Sequence, residues 1–227
     1  MAALNELCNP DLYPFEAAVN KAKELMTLNP RLDLELAAMA PRKTTEAADR
    51  LAGPSVERLL DLLDTISPGV RTLNSLVHLL DDPDLRIRSK AAILIGRRVG
   101  NLHWAERVLE DQNPRVRANV IEALWESALP QCREVFYRAL NDSDNRVVGN
   151  AIYGIYRLNP VESVPLLIGL AAHPEPARRV TAAWVMGRTC DLQFRPHVQK
   201  MVQDKEKQVR SLALKAMFKL KAAQNAA

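Results

Sequence analysis

The chain has 227 residues, 48% of them apolar and 26% charged, with a formal net charge of +4; this composition supplies a core and excludes wholesale disorder. Eight glycines and 5% aromatic residues argue against a sandwich or barrel of Gly-rich turns and aromatic strands, while plentiful Ala, Leu, Arg and Glu favour helices. Apolar runs such as AAILIG fall far short of the roughly 20 residues of a membrane helix. Three scattered cysteines, Cys8, Cys132 and Cys190, with no leader at the start, lead us to expect a cytoplasmic protein that binds no membrane.

In chain order, PFEAAVNKAKELMTL, PRLDLELAAM and TTEAADRL predict short helices parted by turns at Pro30 and Pro41. GPSVERLLDLLDTI predicts an amphipathic helix entered through Pro54 and ended by SPG. Residues 1–69 fit no repeat well and are expected to form an N-terminal cap or degenerate repeats. They carry most of an acidic first section: residues 1–80 hold 8 Lys/Arg against 11 Asp/Glu, a balance of −3, and residues 81–227 hold 23 against 16, a balance of +7. Such asymmetry suits an anionic partner, although a charge run of this strength is more often a solvated helix face.

From residue 70 the sequence repeats. DDPDLRIRSKAAILIGRR, EDQNPRVRANVIEALWE, NDSDNRVVGNAIYGIYR, AHPEPARRVTAAWVMGR and QDKEKQVRSLALKAMFK align on the anchors Ile87, Val116, Val147, Arg178 and Val209, at spacings of 29, 31, 31 and 31 residues. A constant period near 30 predicts a solenoid. Four, five and eight residues after each anchor runs an apolar stripe at helical spacing, from Ala91, Ala92 and Ile95 to Ala213, Leu214 and Met217. An earlier stripe, such as Leu76, Leu79 and Leu80 or Phe136, Ala139 and Leu140, precedes the anchor. Pro83, Asn113-Pro114, Asp144-Asn145, Pro174 and Pro176 punctuate the two stripes, as residues that cap or open a second helix do. Each copy therefore reads as an αα-hairpin, and the fold class as all-α: an α-solenoid, or superhelix, of stacked hairpins over residues 70–223. The basic last helix, to Lys221, reads as a C-terminal cap, and residues 224–227 as a frayed tail.

An Asp in the turn, an apolar residue five later and an Arg after it make the pattern resemble the HEAT-repeat family, in particular its short bacterial, PBS-lyase-type repeats. In that family these charges form a structural ladder, which implies that role for Asp82, Arg88, Asp111, Arg117, Asp142, Arg179, Asp204 and Arg210. Arg is replaced by Val148 in the third copy and Asp by His173 in the fourth. Both losses fall on one interface if each Arg pairs with the Asp of the following copy, so Arg88 is expected to meet Asp111, Arg117 Asp142, and Arg179 Asp204.

Catalytic patterns are scarce. The four histidines lack the His-Glu pairs with which HEAT-type di-iron hydroxylases bind metal, no two are spaced i, i+4, and no phosphate-binding or nucleophile-elbow motif occurs. We therefore expect no catalytic residues, no metal and no cofactor.

The resemblance further implies that the second helices line the concave face of the stack. Positions three, six and ten after the anchor point away from the core stripe and place Arg97, Arg157, Arg188 and Lys219 in one row, with Lys215 near its end and Tyr153 beside Trp184 in the middle. This face predicts a non-catalytic scaffold for a protein or peptide of acidic character, oligomeric state left open. The alternatives are nucleic-acid binding, in the manner of HEAT-like alkylpurine DNA glycosylases, which Glu122 and Glu126 weaken, and a bilin lyase-type subunit. Tyr153 and Trp184 could equally be packing residues, and Trp125, Tyr156 and Phe218, nine after their anchors, read as packing between repeats.

Overall fold

The computed structural model describes residues 6, 7, 9, 11–28, 53–66, 70–97, 102–127 and 129–226. Every described element is helical. The helices expected at PRLDLELAAM and TTEAADRL, and Cys8, lie outside these residues. Two compact units divide the chain, Met1–Leu129 and Pro130–Ala227.

In the first unit α1 (Phe15–Leu28) leads to α2 (Gly53–Ile66) and α3 (Val70–Ser75), followed by a 3-10 turn at Val77–Asp81. Next come α4 (Leu85–Gly96), α5 (His103–Val108), α6 (Pro114–Ala123) and a 3-10 turn at Leu124–Glu126. The guanidinium of Arg58 on α2 donates to the carbonyls of Leu7 and Tyr13 and lies 5.9 Å from the centroid of the Phe15 ring, fastening the start of α1. The packing order α2, α4, α6 then follows, across the 69/70 division suggested by the repeat pattern.

The second unit holds α7 (Cys132–Ala139), α8 (Asn145–Leu158), α9 (Pro160–Ala171) and α10 (Pro176–Thr189). A 3-10 turn at Leu192–Phe194 then leads to α11 (Arg195–Met201) and α12 (Lys207–Ala226). Here α8, α10 and α12 pack in succession, and α7, α9 and α11 pack against them. Helix α12 runs to Ala226, so residues 224–226, expected to fray, are helical.

Caps start the second helices. Asp84, Asn113 and Asp144 each accept from the backbone N–H two residues on, and Pro114 and Pro176 occupy first turns, where a missing N–H costs nothing. Behind the caps the predicted stripes are buried: Ile95, Ile121, Ile155 and Met186 are sealed from solvent, each contributing roughly 1.5–3 kcal/mol. The second unit's core gathers Val148, Ile152, Leu167, Val185, Met186, Phe194 and Leu220. Two residues depart from expectation: Leu214, assigned to the core stripe, and Phe218, assigned to packing between repeats, both face solvent. They lie on the outer side of α12, which no described helix covers.

Candidate functional site

The turn between the two helices of a repeat is built around a carboxylate and a guanidinium, except that the third repeat has Val148 for the arginine and the fourth His173 for the aspartate. Oδ1 of Asp82, Asp111, Asp142 and Asp204 accepts the backbone N–H two residues later at 2.8, 2.8, 2.8 and 2.9 Å. Where the fourth repeat has His173, its Nδ1 accepts the N–H of Glu175 at 3.1 Å, so the imidazole performs the same task. The arginine six residues on turns back: Nη1 of Arg88, Arg117, Arg179 and Arg210 donates to the carbonyls of Asp82, Asp111, His173 and Asp204 at 2.7–2.8 Å. Sequence reasoning missed this clamp within the repeat.

In Arg88 and Arg179 the rest of the guanidinium reaches the following repeat. Arg88 Nε lies 2.8 Å from Asp111 Oδ2, and Arg179 Nε 2.7 Å from Asp204 Oδ2, with a second Arg179–Asp204 bond of 2.9 Å. The paired Arg179 guanidinium holds the Asp204 carboxyl below the usual aspartate range. Arg117 belongs to one unit and Asp142 to the other, and each serves its own turn as described. Val148 is buried in the apolar core of the second unit. A cleft of about 440 Å³ beside Arg88 and Asp111 is lined also by Arg107, Glu110 and Gln112, and its charges largely satisfy one another: Arg107 lies 3.6 Å from Asp81.

The predicted binding row is treated differently in the two units. In the first, α2 sets three carboxylates against α4: Lys90 Nζ is 3.0 Å from Glu57 and 2.7 Å from Asp61, and Arg97 is 3.2 Å from Asp64. Arg97 is therefore engaged by its own unit. The spacing of Glu57, Asp61 and Asp64, four and three residues apart, was the available sign that they share one helix face.

In the second unit Arg188 on α10 covers the ring of Tyr153 on α8, with its Cζ 5.4 Å from the ring centroid, a cation–π distance. Tyr153 and Trp184 are both half-buried against the core, and the Trp184 ring lies beside Gly149. The two aromatics thus share in packing and keep one side outward. Arg157, Arg188, Lys215 and Lys219 are exposed. Tyr153 also stacks on Tyr156 at 6.4 Å, and Tyr156 donates to Asp191 at 3.0 Å; burial first, and that carboxylate second, push the Tyr156 hydroxyl up to about 12. Among the described residues no three His, Cys, Asp or Glu side chains gather as a metal site would require, and no helix is long and apolar enough to cross a membrane.

Residues 101–179 match the family model for HEAT repeats. No curated protein matches the chain. The X-ray structure of YibA of E. coli is similar over 94% of this chain and 80% of that one, at 18% identity and a TM-score of 0.52. The complex of CpcE and CpcF of phycocyanin lyase from Nostoc sp. PCC7120 matches over 98% of this chain and 86% of that one, at 18% identity and a TM-score of 0.48. At such identities likeness speaks to fold alone. Together with the hairpins and their turns, the comparisons establish an all-α fold of the repeat-solenoid class, in which residues 101–179 match HEAT repeats.

Proposed function

We propose that the chain is a non-catalytic scaffold that binds a protein partner of acidic character on the face formed by α8, α10 and α12. The observation that carries this reading is Arg188 lying over Tyr153; the same three helices carry the half-buried Trp184 and the exposed Arg157, Lys215 and Lys219. Aromatic rings with one dry side and one open side, ringed by arginine, are the side chains that anchor protein interfaces.

Two measurements test the reading. The first is partner capture by the wild type and by Trp184→Ala: an acidic protein retained by the wild type and lost by the variant is the expected result. The second is binding to single- and double-stranded DNA across salt concentrations. A nucleic-acid surface would lose about a thousandfold in affinity between roughly 50 and 200 mM salt and would fail in the Arg157→Glu, Arg188→Glu double variant. That outcome would replace the protein partner with nucleic acid.

A further inference from the structure

We infer that the outer face of α12 docks a helix of another polypeptide, one whose apolar stripe is flanked by carboxylates. The argument begins from position within the repeat. Two, five and nine residues after its anchor, a second helix presents the side that receives the following hairpin. A Cβ built on Gly187, nine after Arg178, would lie 2.7 Å from the Cβ of Ala216 on α12. A Cβ on Gly149, two after Val147, would lie 2.9 Å from Thr181 on α10. In the first unit Gly96, nine after Ile87, faces Ala123 of α6 in the same way.

On α12 these three positions hold Ser211, Leu214 and Phe218. Leu214 is 46% and Phe218 72% exposed, whereas Ala183 and Ile152, the counterparts of Leu214 in the two preceding repeats, are 0% and 1% exposed. The patch therefore continues, in register, the interface through which hairpins stack inside each unit. The exposed outer face of α12 carries a leucine and a phenylalanine one helical turn apart.

Charge chooses the occupant. Helix α12 bears Lys207, Arg210, Lys215, Lys219 and Lys221 and no acidic residue. A second copy laid α12 against α12 would oppose cation to cation across an apolar contact, which is repulsive. A helix with carboxylates beside its apolar stripe meets the same cations favourably. The molecule already contains that pairing, in the acidic face of α2 against Lys90 and Arg97 of α4.

The probe is a fluorescently labelled synthetic helix of about 20 residues, with leucines at i, i+3, i+4 and i+7 and glutamates on both flanks. A matched peptide carries lysines in place of the glutamates. Binding of the acidic peptide is expected, weakened at least about tenfold by Phe218→Asp and by Leu214→Ser, and retained by the Arg157→Glu, Arg188→Glu double variant. This last arm separates the end face from the face proposed above. Circular dichroism verifies that the variants are folded, and both substituted side chains are solvent-facing. Failure of the acidic peptide to bind, binding insensitive to both substitutions, or equal binding of the lysine peptide would each overturn the proposal. So would self-association of the wild type that Phe218→Asp abolishes, because the occupant would then be a second copy.

Discussion

Gly187 shows how much one missing methyl group decides. Its helix interior offers no conformational reason for glycine, yet a Cβ there would collide with both Cβ and Cα of Ala216, at 2.7 and 2.8 Å. Gly187→Ala is expected to cost about 1–3 kcal/mol through overpacking, measured by urea denaturation. Gly169, also helical, has nothing within 4 Å of its built Cβ, so Gly169→Ala is expected to add about 0.5–1 kcal/mol. The pair isolates close approach from helix propensity. Asp204 gives a pH test. Arg179, as hydrogen-bond donor, depresses its folded-state carboxyl, so its contribution to stability is present above the ordinary aspartate range and lost as pH falls through the depressed value. The gap in stability between wild type and Asp204→Asn is expected to be widest near about pH 6 and to close toward about pH 2; a gap that stays constant across that range would refute the linkage.

At the scale of the helix, periodicity was the legible part. The stripes after the anchors predicted α4, α6, α8, α10 and α12, because a 3.6-residue pattern repeated five times leaves no strand alternative. The first helices were less legible: in place of one continuous helix the first repeat has α3 followed by a 3-10 turn at Val77–Asp81. Exposure on the outer face of α12 was not legible at all. Leu214 and Phe218 have the residue types of packed positions, and only a following hairpin could have packed them. The candidate site was half legible, since periodicity brought Tyr153 and Arg188 to neighbouring helices but could not reveal that α2 occupies the equivalent row on α4. That acidic face yields a prediction of its own. Asp61→Asn removes one of two carboxylates on the part-exposed Lys90 and is expected to lower stability by no more than about 1 kcal/mol. A larger loss in thermal denaturation would mean that α2 is held mainly by charge.

For the whole molecule, successive packing implies that stability is a sum of local terms coupled chiefly between neighbours. Ile95 is fully buried in α4, and Ile95→Ala is expected to cost about 2–5 kcal/mol. Hydrogen exchange should show the loss in α2, α4 and α6, with amides of α10 and α12 protected as before. Uniform loss along the chain would indicate a single cooperative core instead. The turns add a different property to the array. Where a copy has them, the arginine satisfies its own carbonyls and the aspartate its own amide, leaving a charged pair to span adjacent copies at Arg88–Asp111 and Arg179–Asp204. A gene segment encoding such a hairpin can be duplicated or deleted without stranding polar groups, and a copy that swaps its arginine for Val148 or its aspartate for His173 still closes its turn. Tandem growth and shrinkage are thus chemically permitted where the pair is complete, as at Arg88–Asp111 and Arg179–Asp204.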